Sequence, residues 1–134
     1  MSTSQRDLVL IMAREFSSRL ATAAFLVDPD DNLIYFNEAA ERVLGYAFQE
    51  GRVIGAADWM HAIVTLGDDG EPLPVHERPL GIALGQQVPT HRSVNIATPA
   101  GDVRRIEVTA FPLLAHADEC VGAMSIFWEP SEAS

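Results

Sequence analysis

The chain has 134 residues, of which 48% are hydrophobic and 21% charged, and this balance predicts one soluble globular domain rather than a disordered or collagen-like chain. All nine basic residues are arginine, and the absence of lysine excludes Schiff-base enzymes, Walker A phosphate loops and kinase-type ATP sites. The 19 acidic residues set the formal net charge at -10, which argues against nucleic acid and anionic membranes as partners.

An amphipathic helix is predicted at the N-terminus, within residues 1–22. Ser4 is suited to cap it, and apolar residues recur at helical spacing along one side: Leu8, Met12, Phe16 and Leu20. This stripe is expected either to pack on its own domain or to pair with a second copy of the chain. The apolar run over residues 8–12 is too short for a membrane span or a signal peptide, so a cytoplasmic location is expected.

Two short strands, a turn and a short helix are predicted next. Strands over residues 24–27 and 33–36 flank a run of Asp, Pro and Asn that favours a turn. Asn37 stands where a helix N-cap belongs, and Gly45 stands where that helix would end. Residues 47–66 include several apolar side chains that glycines interrupt, and this range is predicted to form short helical turns, whereas residues 76–84 are predicted to be a helix.

The last third of the chain is predicted to form three strands, over residues 88–97, 103–114 and 120–128, joined by connections of hairpin length. Alternation in the middle strand places Ile106, Val108 and Ala110 on one face. Both faces of the last strand are apolar, so the sheet needs a cover on each side, and the N-terminal helix is the expected second cover. The single cysteine, Cys120, excludes an internal disulfide and fits a reducing compartment.

The order of these elements, and three motifs within it, resemble a PAS domain. Residues 37–46 are similar to the Asn-capped helix that ends in Gly-Tyr after the second PAS strand. Residues 69–85 are similar to the proline-punctuated entry into the long PAS helix, and residues 98–123 to the closing hairpins. The resemblance implies an α+β fold with a five-stranded antiparallel sheet, short helices on one face and the N-terminal amphipathic helix. The PAS domain would span residues 23–129, followed by a tail over residues 130–134.

The resemblance also implies a class of function. A PAS domain is a sensory signal-transduction module without catalytic activity, which holds a small molecule, or only a packed core, between its sheet and its helices. The inward positions implied for this chain are Leu33, Tyr35, Trp59, Ile63, Leu80, Leu84, Ile106, Val108, Ala110 and Met124. Because nearly all of them are apolar, the expected occupant is a small apolar ligand, and a filled core that serves as a protein-interaction domain is the alternative.

The protein is expected to transmit its signal by associating with a partner. Pro130 would interrupt a helix that continued from the last strand toward an output domain, so a freestanding module is expected. A homodimer is expected, with a signalling protein as a further partner. The expected dimer interface joins the apolar side of the N-terminal helix to the outer face of the sheet: Leu8, Met12, Phe16, Leu20, Phe111 and Phe127.

Two PAS cofactors can be compared with the residues present. Flavin-binding members carry a cysteine in a helical Asn-Cys-Arg-Phe-Leu-Gln motif, but residues 56–61 lack one and Met124 stands where the family has a glutamine, so flavin is not expected. Haem-binding members place a histidine near the start of the long helix. His76 stands there, with Arg92 on the following strand, so a haem-based gas or redox sensor is an alternative. His61, His91 and His116 are irregularly spaced and predict no metal site.

A small enzyme of the ketosteroid-isomerase type is a further alternative, since that α+β fold has a similar length and an apolar pocket. It would need a buried Asp and Tyr as general base and oxyanion donor, and Asp58 and Tyr35 are the pair that this chain offers. Their spacing does not indicate that they converge, and that fold opens with long helices. A carboxyl group with a strongly raised pKa in a wet cleft would support this alternative.

Overall fold

The computed structural model describes residues 2–45, 47–49, 53–98, 101–115 and 119–130, and the side chains of residues 2–7, 44 and 60–62 lie outside the description. No helix in these ranges is long and apolar enough to cross a bilayer. The elements, in chain order, are α1 (Ser2–Ser18), β1 (Ala23–Val27), β2 (Leu33–Phe36), α2 (Glu38–Leu44), α3 (Ala56–Ala62), β3 (Val64–Leu66), a 3-10 turn (Val75–Glu77), α4 (Pro79–Gln86), β4 (Thr90–Ala97), β5 (Val103–Leu114) and β6 (Cys120–Trp128).

The strands form one antiparallel sheet of six, in the order β2-β1-β6-β5-β4-β3. Five of them match the strands predicted from the sequence, and the predicted α+β fold is confirmed. The sixth strand, β3, pairs with β4 at the edge of the sheet, in a segment that was predicted to be helical. With only three residues, β3 is too short to carry a period-two pattern, so periodicity did not reveal it.

The inner face of the sheet carries the main core, which α2, α3 and α4 cover. In β5 the buried residues are Ile106, Val108 and Ala110, as alternation predicts. The ring of Phe25 on β1 lies between Trp59 of α3 and Phe127 of β6, with centroid separations of 5.6 and 5.2 Å. Each fully buried aromatic side chain contributes about 2 kcal/mol from burial alone, so this cluster anchors α3 to the sheet.

The outer face of the sheet is covered by α1, but not through the predicted stripe. The helix packs through Leu10 and Ala13 onto Leu26 and Met124. Small residues along this side let the helix approach the sheet closely, and Ser17, one turn after Ala13, is also buried. The stripe on the opposite side stays open, since the exposed fractions are 54% for Leu8, 61% for Met12 and 54% for Phe16.

Three residues lie on the face of the sheet opposite to the one expected. In β6, Phe127 faces the inner core and Met124 the outer cluster. Alternation groups the residues of a strand correctly, but with two apolar faces it does not show which face is inside. In β2, Tyr35 lies outside although Leu33 and Phe36 lie inside, because the pairing of β1 with β2 shifts register after Leu26 and breaks strict alternation.

One buried amide joins α1, β1 and α2. The Oδ1 atom of Asn37 accepts hydrogen bonds from the backbone N–H groups of Ala24 and Ala40, at 3.0 and 3.1 Å. Its Nδ2 group donates to the carbonyl oxygens of Ser17 and Thr22, at 2.9 and 2.8 Å. The predicted N-cap of α2 is therefore confirmed, and the same side chain fixes the end of α1 to the sheet. As predicted, α2 ends at Gly45, which has a φ of 88°.

Candidate ligand-binding site

A cavity of about 60 Å³ lies between the inner face of the sheet and helices α3 and α4. This is several times the ~10–15 Å³ that a cavity needs in order to hold one water molecule, and far below the several hundred Å³ of a drug-sized pocket. Its apolar wall consists of Phe25, Trp59, Ile63, Pro79, Leu80, Gly81, Val94, Ile96, Ile106, Val108 and Phe127, and its polar wall of Asp31, Thr65, Arg78 and Ser125. The cavity therefore suits a compact molecule that is largely apolar.

The ten pocket residues expected from the sequence divide into three groups. Five of them line the cavity: Trp59, Ile63, Leu80, Ile106 and Val108. Leu33, Leu84 and Ala110 belong to the surrounding core without lining it. Tyr35 and Met124 lie on the other side of the sheet, beneath α1, so their assignment to the pocket is corrected.

A second, wider cleft of about 240 Å³ approaches the cavity from the end of the sheet where Arg104 and Glu129 lie. Three side chains line both spaces: Ile96, Ile106 and Phe127. These three side chains form a single layer between the cavity and the cleft.

The polar wall of the cavity includes Asp31, which the sequence pattern places only in a turn. It adopts a φ of 67°, and Trp59 of α3 donates an indole hydrogen bond of 2.8 Å to its carbonyl oxygen. The residue is only 8% exposed, and its Oδ1 atom accepts no hydrogen bond from the described residues. A buried acceptor without a donor is costly, and such groups mark sites of function.

Arg78, at the start of α4, lines the same cavity. Its Nε atom donates to the carbonyl oxygen of Leu73, at 2.9 Å, which fixes the orientation of the guanidinium group. Burial lowers the pKa of Arg78, and the charge of Asp31 partly restores it. In the described ranges the two side chains do not approach within ion-pair distance, so the acid and the base face the same small space without neutralising each other directly.

Burial raises the pKa of Asp31 to about 6 from an ordinary value of 3.8, with a smaller contribution from the charge of Asp28, against the opposing effect of Arg78. Because the pKa of Asp31 is higher in the folded than in the unfolded protein, this side chain stabilises the folded protein only while it is protonated. This stabilisation is fully present below about pH 4 and is lost as the pH rises through about 6.

Asp31→Asn is accordingly expected to remove this pH dependence, because asparagine tolerates a positive φ and cannot ionise. Near pH 7.5 the variant is expected to exceed the wild type in stability by about 2 kcal/mol, after allowance for partial screening by solvent. Urea unfolding of both proteins between pH 4 and pH 7.5 measures the difference. Asp30→Asn, in the exposed part of the same turn, is the control. Parallel stability profiles for the wild type and Asp31→Asn would contradict the burial of this carboxylate.

The residues expected for haem do not meet at the cavity. The His76 side chain is 81% exposed on the 3-10 turn, and Arg92 donates a hydrogen bond to the carbonyl oxygen of Glu77. Neither residue lines the cavity. The geometry therefore offers no haem ligand at His76.

The remaining histidines also fail to assemble a metal site in the described ranges, where no group of three His, Cys, Asp or Glu side chains is arranged to hold a metal ion. His91 lies on the outer face of the sheet, 2.7 Å from a carboxylate oxygen of Glu107. His116 and the side chain of His61 lie outside the described part of the chain.

The fold keeps apart Asp58 and Tyr35, the two residues on which the enzyme alternative depends. Asp58 is exposed in the first turn of α3, and Tyr35 packs on Phe48 beneath α1, with ring centroids 4.8 Å apart. Among the described residues, the carboxyl group with a raised pKa is instead that of Asp31, and no tyrosine in that part of the chain lines its cavity. The base and the oxyanion donor required by that mechanism are therefore not brought together.

No protein-family model and no curated protein matches the sequence. Among solved structures, the chain is similar to the PAS domain of Bordetella pertussis BvgS, with a TM-score of 0.62, 15% identity, and coverage of 92% of this chain and 86% of that one. It is similar to the PAS domain of nitrogen regulation protein NR(II) from Vibrio parahaemolyticus, with a TM-score of 0.59, 14% identity, and coverage of 89% and 98%.

A third similar structure is the Rhodobacter sphaeroides LOV protein, with a TM-score of 0.67, 14% identity, and coverage of 95% of this chain and 70% of that one. Identities this low establish the fold alone. The chain therefore has the PAS fold, as its motifs predicted, and the site must be interpreted from its own residues.

Proposed function

We propose that this protein is a non-catalytic sensory module that binds a compact, largely apolar molecule on the inner face of its sheet and signals through the outer face. The observation that carries the proposal is the cavity between the sheet, α3 and α4, on the opposite side of the sheet from α1. Only one layer of strands separates the two. A change in side-chain packing at Ser125 or Phe127 is therefore one residue away from Met124 and Ile126, which lie beneath α1.

Mass spectrometry of the freshly purified, denatured full chain tests this function, together with the absorbance spectrum before denaturation. The expected result is a stoichiometric small apolar molecule and no Soret band. A Soret band that disappears in His76→Ala would establish the haem alternative instead. A chain that carries no small molecule and binds none in a ligand screen would contradict ligand sensing and favour the interaction-domain alternative.

We also propose that the protein is a homodimer through the exposed side of α1, formed by Leu8, Ile11, Met12 and Phe16. All four side chains are more than half exposed, and they occupy adjacent turns of one helix. A contiguous apolar surface of this kind is characteristic of an interface. A second copy is the occupant that we favour, because the stripe is symmetric about Met12, with Leu8 and Phe16 four residues to either side and both 54% exposed. In an antiparallel helix pair centred on Met12, each Leu8 would meet the Phe16 of the other copy, so the surface complements itself.

This interface differs in part from the one expected from the sequence. Leu8, Met12 and Phe16 remain in it. Leu20 is half-buried, Phe111 is half-buried beneath α1, and Phe127 is buried in the inner core, so Phe127 is removed from the interface. The docked side of α1 and its free side are distinct, which allows the helix to contact the sheet and a partner at once.

Met12→Glu is expected to convert the dimer into a monomer, because it places a charge in the centre of the stripe. Size-exclusion chromatography with light scattering on the full chain measures the change. Val103→Glu is the matched control, since Val103 is equally exposed, at 63%, but lies at the start of β5. A monomeric wild type, or a Met12→Glu variant that remains dimeric, would contradict the interface.

A further inference from the structure

We propose that the cavity selects ligands with a neutral amide head group, whose N–H donates to Asp31 and whose carbonyl oxygen accepts from Arg78. The inference rests on the proposed ligand-binding function and deepens it. The sequence alone indicated an apolar pocket, whereas the structure places a carboxylate acceptor and a guanidinium donor in its wall, beside the hydroxyl side chains of Thr65 and Ser125.

The acceptor is the carboxyl group of Asp31, and its position is well defined. Asp31 is 92% buried, its backbone is held by the indole of Trp59, and its Oδ1 atom lacks a donor among the described residues. Any occupant of the cavity therefore meets an acceptor to which no described protein group donates. A ligand N–H at this position supplies the hydrogen bond that the described residues do not give this atom.

The donor is the guanidinium group of Arg78, and its orientation is also fixed. Arg78 uses its Nε atom for the carbonyl oxygen of Leu73, which leaves the terminal nitrogens of the guanidinium directed away from that bond. The guanidinium prefers a carbonyl or carboxylate oxygen. Because Asp31 and Arg78 do not pair directly, one group that offers a donor on one side and an acceptor on the other satisfies both.

The size and polarity of the cavity favour an amide over a charged or zwitterionic head. A volume of about 60 Å³ admits a head group of a few non-hydrogen atoms. Most of the wall is apolar, and an ion would lose much more hydration free energy on entering it than a neutral amide does. A primary carboxamide, or the N–H and C=O edge of a cyclic amide, fits both constraints, with the apolar part of the ligand against Leu80 and Val108.

NMR titration of the full chain with three matched compounds tests the inference: propionamide, propionate and propylammonium. Xenon serves as the apolar comparison, since it enters dry apolar cavities. Propionamide is expected to bind at least about tenfold more tightly than either ion, which is the effect of one or two hydrogen bonds to charged groups. Shifts are expected at Ile63, Leu80 and Val108.

Two variants identify the side chains responsible. Asp31→Gly suits the positive φ and removes the carboxyl group, and Arg78→Met removes the guanidinium. Each is expected to lose the preference for propionamide while retaining xenon. Asp30→Gly and Arg105→Met remove the same groups outside the cavity and are expected to change nothing.

The outcomes distinguish the amide selectivity from the ligand-binding function. Xenon binding without any preference for propionamide, or a preference that survives in both Asp31→Gly and Arg78→Met, would overturn the amide selectivity and leave an apolar pocket. Binding of neither xenon nor propionamide would overturn the ligand-binding function itself.

Discussion

Asn37→Ala is expected to lower the free energy of unfolding by at least about 3 kcal/mol and the Tm by roughly 10 °C. The substitution removes the N-cap of α2, which contributes about 1 kcal/mol, and takes the side-chain partner from the buried N–H of Ala24 and the carbonyl oxygens of Ser17 and Thr22. Because the contact to Ser17 holds the last turn of α1, and the contact to Thr22 holds the segment that joins it to β1, the helix is expected to detach before the sheet unfolds. Thermal unfolding measures the stability, and hydrogen exchange over residues 8–18 measures the detachment.

Asn37→Ser distinguishes the two roles of the side chain. Serine still caps α2 but cannot reach the carbonyl oxygens of Ser17 and Thr22, so α1 should exchange faster while α2 stays protected. Asn95→Ala, in β4, is the control for the loss of an asparagine elsewhere and is expected to stay within about 0.5 kcal/mol of the wild type. Equal exchange in α1 for the wild type and both Asn37 variants would contradict the assigned link.

Gly81→Ala is expected to destabilise the protein by at least about 2 kcal/mol and to disturb the cavity. A Cβ atom at this position of α4 would lie 1.9 Å from the backbone carbonyl oxygen of Val75. The obstacle is backbone rather than a flexible side chain, so the 3-10 turn must move away from α4. Arg78 lies between these two elements, and its contact with the cavity moves with them.

Gly85→Ala, one turn later in α4, is the matched control. A Cβ atom there meets nothing within 4 Å, so the gain in helix propensity is expected to stabilise the protein by about 0.5 to 1 kcal/mol. Urea unfolding measures both variants. Opposite signs for the two substitutions are expected, and a neutral Gly81→Ala would contradict the close packing of α4 on the 3-10 turn.

Most of the fold could be predicted because its signals are local. The Asp-rich turn before Leu33, the N-cap at Asn37 and the stop at Gly45 each specify the backbone within a few residues of themselves. Alternation in β5 identified the buried residues because its other face carries charged and polar side chains such as Arg105 and Glu107. Where one face is clearly polar, the period of two also determines which face is inside.

The parts that could not be predicted depend on contacts between distant segments. In β6 both faces are apolar, so only the docking of α1 shows that Met124 is outside and Phe127 inside. Asp31 looked like an ordinary turn residue, because nothing local indicates that Trp59, 28 residues later, will hold it against a cavity. Likewise, Asp31 and Arg78 line one cavity only once α4 has packed on the sheet.

The central claim is that the inner face of the sheet contains a cavity that accepts a guest molecule. A crystal structure of the full chain under xenon pressure tests it most directly. One xenon atom is expected between Trp59, Leu80 and Val108, with no movement of α1 away from the sheet. A derivative without xenon at that position, or with xenon only in the outer cluster around Met124, would contradict it.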